Sequence, residues 1–119
     1  MEVRRRYQRV PFQAETVVKT PEDHWNCTLL NIALGGDLLE SKSLDLEHGA
    51  RCQITITLPA SAIVLEFDAE LAHREGQHYG FKFIHVDLQS LTHLRKLIEL
   101  NTGDADSIRG ELMAWLDES

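Results

Sequence analysis

The residues best suited to binding chemistry are four arginines near the N-terminus: Arg4, Arg5, Arg6 and Arg9. A guanidinium group is a planar fork that donates paired hydrogen bonds to phosphate oxygens or guanine edges, and it also stacks on flat rings. A small anionic ligand that carries guanine would use all three properties. The segment also fits a simpler interpretation, a solvated N-terminal tail, and the arginines alone do not decide between the two.

Charge is distributed unevenly along the chain. The net charge is −7, and residues 1–9 contribute four arginines against one glutamate, or +3, so the remainder carries −10. A general nucleic-acid-binding protein would present a broad basic face. The acidic remainder therefore disfavours nucleic acid as a partner, and binding of nucleic acid through the arginine segment is kept as a rival hypothesis.

A second informative segment runs from Asn31 to Gly36 and has the sequence NIALGG. The pair Gly35 and Gly36 is typical of a tight turn that needs positive φ, and Asn31 is typical of a residue at the end of a strand. Taken separately, each of these features is more common in turns than in binding sites.

Two successive periods in the hydrophobic pattern predict the elements that carry these segments. Alternation with period 2 predicts strands at residues 14–20, 24–33, 37–40, 51–59, 63–74 and 78–86. Helical spacing then predicts a helix with Asp87 as N-cap and Gly103 as its stop, and a second helix over residues 104–116. Six strands followed by helices predict a small antiparallel barrel, with a helix covering one mouth or side.

The apolar positions predict which face of each helix is buried. They are Leu88, Leu91, Leu94, Leu97 and Ile98 in the first helix, and Ile108, Leu112, Trp115 and Leu116 in the second.

Composition and motifs narrow the function classes. A chain of 119 residues fits one domain, and it contains neither an apolar run that could span a bilayer nor a signal peptide. Cys27 and Cys52 are therefore expected to be reduced thiols in a cytoplasmic protein. The six histidines lack metal-site spacing, and no catalytic motif is present, so we expect neither a metal site nor an enzyme.

The spacing of the two segments resembles that of the PilZ domain family, whose marks are RxxxR and, about twenty residues later, [D/N]xSxxG. Here Arg5 and Arg9 match the first motif, and Asn31 and Gly36 match the second. The resemblance implies an all-β fold with C-terminal helices, built as a six-stranded antiparallel PilZ-like barrel. Its parts would be an arginine-rich arm (1–12), the barrel (13–86) and the helices (87–117).

The same resemblance implies a cytoplasmic bacterial receptor for cyclic di-GMP, without cofactor or catalytic activity, that passes ligand binding to an unidentified protein effector. Nucleic-acid binding and membrane insertion are not expected. Arg5 and Arg9 would hold the phosphates and guanines, and Asn31 would bond a guanine edge or support the arginine segment. Gly36 would let the backbone approach the ligand closely.

Four further positions refine this expectation. Ala33 lies two residues after Asn31, so period 2 predicts both side chains on one solvent-accessible face, and the competing prediction buries Ala33 in the barrel wall. Ala33 also replaces the motif serine and removes a hydroxyl worth about 0.5–1.5 kcal/mol if it bonded the ligand. This favours the alternative, an interaction module of the same fold that no longer binds the nucleotide. Arg4 and Arg6 resemble the extra arginines of members that bind two intercalated ligand molecules. His73 has inward parity near the barrel rim. There it packs on its neighbours or, as the resemblance implies for an aromatic residue at this place, on a ligand base.

Overall fold

Six antiparallel strands close into a barrel with the strand order β1-β2-β3-β6-β5-β4, and the computed structural model describes this fold over residues 7–118. The strands are β1 (Val10–Lys19), β2 (His24–Ala33), β3 (Gly36–Glu40), β4 (Arg51–Thr57), β5 (Val64–Glu75) and β6 (His78–Val86). Two helices follow, α1 (Leu88–Thr102) and α2 (Ala105–Glu118). The predicted barrel with C-terminal helices is confirmed. β1 begins four residues before its predicted start, because Val10 already pairs with Ile32 of β2.

The barrel interior is filled by the alternate apolar residues of the strands. Ile54 and Ile56 of β4 and Leu65 of β5 are fully buried, as their period-2 spacing predicts. The rings of Phe67 and Phe83 stack with centroids 4.0 Å apart, which joins β5 to β6 inside the core. This packed interior makes the barrel a rigid support for residues on its outer face.

α1 begins and ends at the predicted caps. The Asp87 carboxylate accepts a hydrogen bond of 2.7 Å from the Ser90 N–H, and Gly103 adopts the left-handed conformation that ends many helices. The Ser90 hydroxyl in turn accepts a bond of 3.0 Å from the Glu66 N–H, which ties the start of α1 to β5. The prediction that Leu88 is buried was wrong, since this first helical residue is 78% exposed.

α2 packs mainly against α1. Its side chains Ile108 and Trp115 are buried and Leu112 is partly buried, whereas Leu116 is 48% exposed. The prediction of Leu116 in the buried stripe was therefore wrong. With 3.6 residues per turn, it lies roughly 80° around the helix from Ile108, and the contact surface does not extend that far.

Local irregularities in the sheet change which side chains face outward. The pairing of β2 with β3 shifts between Leu29 and Asn31, and the pairing of β5 with β6 shifts between Leu71 and His73. Each shift inserts one extra residue in one strand, Leu30 and Ala72 respectively, and so reverses the inward and outward alternation beyond it. Both shifts occur in the strand segments that reach the candidate site.

Candidate functional site

The register of β1 against β2 brings the two sequence segments together. Val10 pairs with Ile32 and Pro11 with Asn31, so the same antiparallel register places Arg9 opposite Ala33 and diagonal to Asn31. The Arg9 Nη1 donates a hydrogen bond of 2.9 Å to the Asn31 Oδ1. Residues 22 positions apart in the chain thus form one polar pair on the barrel surface.

The extra residue in β2 gives Asn31 and Ala33 their outward direction. Cys27 and Leu29 are buried in the interior, and unbroken alternation would have sent Asn31 and Ala33 inward as well. The bulge at Leu30 instead turns Ile32 inward, where it is fully buried. The sequence correctly placed Asn31 and Ala33 on one face, but it did not reveal which face.

A pocket of about 420 Å³ lies on this outer face, within the usual range for small-molecule sites. Its floor crosses three strands, because Gly36 of β3 pairs with both Ala33 of β2 and Lys82 of β6. Of the six predicted site residues that the structure describes, five line the pocket: Arg9, Ala33, Gly35, Gly36 and His73. Asn31 contributes through its hydrogen bond to Arg9.

The predicted position of Ala33 on a solvent-accessible face needs correction. Its side chain is on the outer face and lines the pocket, but it is only 2% exposed. Tyr7 and Arg9 line the same pocket, and the segment that carries them runs along this edge of β2. Ala33 therefore lies in the pocket floor with little exposure to solvent.

The glycine pair is required by close packing. Positive φ among the glycines of residues 7–118 occurs at Gly49, Gly76 and Gly103, so the expectation of a positive φ at Gly35 or Gly36 was wrong. A Cβ on Gly36 would lie 2.2 Å from the Phe81 carbonyl oxygen of β6, and a Cβ on Gly35 would lie 2.9 Å from the Tyr7 ring.

These distances show a role of Gly36 within the protein. Its missing side chain allows β3 to approach β6. Close approach of a ligand to the Gly36 backbone, which the resemblance implies, stays a prediction. Gly35 in turn allows the ring of Tyr7 to lie on the turn between β2 and β3. Both glycines therefore shape the pocket through contacts within the protein.

His73 does not have the inward direction predicted from its parity. The bulge at Ala72 reverses the alternation, so His73 is exposed and lines the pocket from β5. It pairs with Gly80, where an added Cβ would lie 3.4 Å from the His73 Cβ, so the glycine leaves room beside the histidine.

Six further described residues of the pocket were not identified as site residues from the sequence: Tyr7, Ala72, Gly80, Phe81, Lys82 and Trp115. Lys82 has outward parity in β6, a signal that was readable, but only the pairing of β3 with β6 places it beside Gly36. Trp115 was predicted to be buried on α2, but the hydrophobic pattern does not specify which surface the helix covers. Tyr7 lies between Arg6 and Arg9 in a segment without periodicity.

An unexpected buried carboxyl group follows the glycine pair. Asp37 pairs with Ile32 and Phe81, both directed into the barrel, and its side chain is 0% exposed. Neither of its carboxyl oxygens has a hydrogen-bond partner within residues 7–118. Burial raises the pKa of the Asp37 carboxyl well above its usual range, and the positive charge of Arg9 offsets this only in part.

The two cysteines lie in the electrostatic environment of Asp37. Burial is the main cause that raises the pKa of Cys52 to about 12, and it also raises the pKa of Cys27. Both thiols are free, and both are uncharged at neutral pH. Among residues 7–118, Arg9 is therefore the charged group whose interaction lowers the pKa of Asp37.

Other expectations concern the N-terminal arginines, metal binding and membrane insertion. Arg4, Arg5 and Arg6 lie outside the described residues, so the RxxxR motif is represented in the structure by Arg9. Residues 7–118 bring together no group of three or more side chains that could hold a metal ion. Of the two helices in that range, neither combines the length and the hydropathy that a bilayer span requires.

Solved structures share this fold. The PilZ domain with c-di-GMP of YcgR from Escherichia coli has a TM-score of 0.69 at 22% identity, over 87% of this chain and 95% of that chain. YcgR from Escherichia coli in complex with c-di-GMP gives 0.67 at 24% identity, over 97% and 50%. The Bacillus subtilis inhibitor of motility MotI/DgrA gives 0.69 at 18% identity, over 93% and 53%.

The last two comparisons show that this chain spans about half the length of those proteins. At these identities the likeness to solved structures establishes the fold alone. A family model described as PilZ domain matches residues 3–100, which include the arginine segment, all six strands and most of α1. The chain belongs to the PilZ domain family.

Proposed function

We propose that this protein is a non-catalytic receptor for cyclic di-GMP that transmits ligand binding to a protein partner in the bacterial cytoplasm. The observation that carries the proposal is the hydrogen bond of 2.9 Å between Arg9 and Asn31. It joins the two motif segments beside a pocket of about 420 Å³. An arginine held in this way is positioned for a ligand before the ligand arrives, which lowers the entropic cost of binding.

The charge and shape of the pocket fit the ligand's chemistry. Cyclic di-GMP carries two phosphates and two guanines, and the pocket lining includes the cationic side chains of Arg9 and Lys82. Charged hydrogen bonds to phosphate are about twice as strong as neutral ones. The floor of Ala33, Gly36 and Gly80 has little side-chain bulk, so a flat base can approach the sheet closely.

The N-terminal arginines would complete the site. In the sequence, Arg4, Arg5 and Arg6 immediately precede the segment that lies beside the pocket. They could supply further phosphate contacts or stack on guanine. A second, intercalated ligand molecule would use these extra arginines. The family and the two Escherichia coli structures with c-di-GMP lend independent support.

One specific observation favours a second candidate, an interaction module of this fold that does not bind the nucleotide. Ala33 lacks the hydroxyl of the motif serine, and its side chain is nearly closed off from solvent. A single lost hydrogen bond costs about 0.5–1.5 kcal/mol, which is smaller than the contribution expected from several charged contacts. Reduced affinity is therefore a more direct expectation than loss of binding.

Calorimetry of the parent protein with cyclic di-GMP, GTP and a short DNA duplex tests the proposal. We expect binding of cyclic di-GMP, and the measured stoichiometry distinguishes one ligand per chain from two. Arg9→Ala should weaken that binding roughly tenfold to a hundredfold, because a hydrogen bond to a charged group contributes about 1.5–3 kcal/mol. Its free energy of unfolding should fall, because the hydrogen bond to Asn31 and the favourable interaction with the Asp37 carboxyl group are both lost, so circular dichroism and urea unfolding are used to check that the variant is folded during the titration.

Arg51→Ala is the matched control. It removes the same charge from an exposed arginine that pairs with Glu70 at 3.2 Å on the β4–β5 surface, and it should leave affinity unchanged. No binding of cyclic di-GMP by the parent would favour the interaction module. A preference for the DNA duplex would favour the rival use of the arginine arm, and Arg9→Ala with parental affinity would place the site elsewhere.

A further inference from the structure

α2 lies beyond the part of the chain that matches the family model, yet it contributes to the pocket. The match ends at residue 100, within α1, and α2 begins at Ala105. Trp115 of α2 is 8% exposed and lines the pocket together with residues of β2, β3, β5 and β6. A wall of the pocket is thus supplied by an element that the family motifs do not include.

α2 is also attached to the segment that carries the motif arginine. The Gln8 backbone N–H donates a hydrogen bond of 3.0 Å to the Glu111 Oε1, and the Gln8 Nε2 donates one of 2.9 Å to the Ser107 Oγ. Gln8 directly precedes Arg9. The position of α2 and the position of the arginine segment are therefore set together.

The pocket needs a flat apolar surface if it is to hold a purine base. Its floor offers backbone and small side chains, and Phe81 is directed into the barrel. The ring of Tyr7 already packs on Gly35, at a distance that a methyl group there would obstruct. Trp115 has the largest aromatic ring system among the described lining residues, and aromatic rings stack on bases of any sequence.

We propose that Trp115 is a ligand-contacting residue that stacks on one guanine of the bound nucleotide, which makes α2 part of the binding site. This inference rests on the proposed function, because it names a further contact in the same pocket. It also gives α2 a specific role in affinity for purine nucleotides, beyond covering a hydrophobic surface of α1.

Affinity measurements on two Trp115 variants test the contact. Trp115→Leu keeps an apolar side chain but removes the ring, so cyclic di-GMP should bind at least about fivefold more weakly. Trp115→Phe keeps an aromatic face and should bind within about threefold of the parent. Met113→Ala is the control, because Met113 lies on the same helix but is 59% exposed, and its affinity should equal that of the parent.

Fluorescence gives an independent measurement on folded, nearly native protein. The chain contains two tryptophans, and Trp25 lies eight positions from Ala33 along β2, roughly 25 Å away. In Trp25→Phe the emission comes from Trp115 and should change when cyclic di-GMP is added. In Trp115→Phe the emission comes from Trp25 and should not change.

The outcomes separate this inference from the proposed function. If the parent does not bind cyclic di-GMP, the proposed function fails and this inference fails with it. If the parent binds but Trp115→Leu has parental affinity, or if both Trp115 variants lose affinity equally, stacking by Trp115 is excluded and the receptor function stands. If circular dichroism shows that Trp115→Leu has lost helix, the Trp25→Phe titration decides: a change in emission supports the contact, and unchanged emission overturns it.

Discussion

The environment of Asp37 disfavours the ionised form of its carboxyl group. It is fully buried, its two oxygens have no hydrogen-bond partner within residues 7–118, and its strand neighbours Ile32 and Phe81 are apolar. A buried polar group without a partner costs about 1–3 kcal/mol of stability, and more if it is charged. The buried Asp37 carboxyl group therefore destabilises the barrel, next to the motif glycine Gly36.

The direction of the pKa shift determines how stability depends on pH. Burial raises the pKa of Asp37 in the folded state well above its usual range. Between the unfolded and folded pKa values the folded state binds more protons than the unfolded state, so stability falls as pH rises through that interval. Below the unfolded value, about 3.9, the carboxyl group is protonated in both states and this contribution vanishes.

We predict that Asp37→Val increases the free energy of unfolding at pH 7 by about 1–3 kcal/mol, because it removes the unpaired carboxyl group from the interior. The gain should shrink near pH 4. Urea unfolding at the two pH values measures both effects, and Asp45→Val at an exposed loop position should leave the parent's pH profile unchanged. A variant that is less stable than the parent at both pH values would show that Asp37 contributes favourable interactions.

Ala33 raises a separate question at the residue scale, since it is both covered and part of the pocket wall. Ala33→Ser adds a hydroxyl that faces the ligand space. We predict a roughly two- to tenfold gain in affinity for cyclic di-GMP, equivalent to one neutral hydrogen bond. The free energy of unfolding should fall by up to about 1 kcal/mol, because the hydroxyl is desolvated in the ligand-free protein.

Calorimetry and urea unfolding on Ala33→Ser measure the two quantities. Ala72→Ser is a suitable control, because Ala72 lines the same pocket but is exposed to water, so its hydroxyl should change affinity by less than twofold. Parental affinity in Ala33→Ser, combined with reduced stability, would show that the third position of the motif does not reach the ligand in this protein.

At the scale of elements, periodicity predicted the strands and helices well because each one buries a single face. The predicted spans of β2 and β6 match the structure, and the caps of α1 are at Asp87 and Gly103 as expected. Period-2 alternation reports burial along a strand, and most strand residues here obey it. These features depend on local sequence, which is why they could be predicted.

Whether an individual site residue points into the barrel or outward depends on β-bulges, which the hydrophobic periodicity does not reveal. Bulges at Leu30 and Ala72 reverse the alternation, and they turn Asn31, Ala33 and His73 onto the outer face. A bulge is one extra residue without a strong sequence signal, and such irregularities are common beside functional sites. The motif segments could therefore be recognised from the sequence, whereas the orientation of their side chains required the structure.

Long-range pairing accounts for the remaining unpredicted contacts. Lys82 reaches the pocket because β6 pairs with β3, two strands that are distant in the chain. Trp115 reaches it because α2 returns from α1 towards the N-terminal segment. Hydrophobic patterns identify a buried face but do not identify its partner surface, so neither residue could be assigned to the site from the sequence.

At the scale of the whole molecule, the segment from Tyr7 to Arg9 and α2 meet at the pocket. Gln8 near the N-terminus bonds Glu111 and Ser107 of α2, 103 and 99 positions away. α2 packs mainly against α1, whereas the strands of the barrel are joined by continuous ladders. An element with fewer attachments opens locally at lower free energy than a core strand, so α2 can respond to ligand without disturbing the barrel.

We predict that cyclic di-GMP slows amide hydrogen exchange in α2 and in the segment from Tyr7 to Arg9 together. Ligand contacts with Arg9 would restrain the N-terminal segment, and the Gln8 hydrogen bonds would transmit that restraint to α2. β4, whose strand neighbours are β1 and β5, should show little change. Exchange monitored by mass spectrometry, with and without ligand, measures all three regions in one experiment.

Glu111→Ala provides the matched control. It removes the acceptor for the Gln8 N–H at a partly buried position on α2, and Glu111 does not line the pocket. In this variant the ligand should protect the segment from Tyr7 to Arg9 as in the parent and protect α2 less. Protection confined to the N-terminal segment and the β2–β3 turn in the parent protein would contradict the coupling. A partner that senses the ligand would then have to read the barrel face, because α2 would present the same surface in both states.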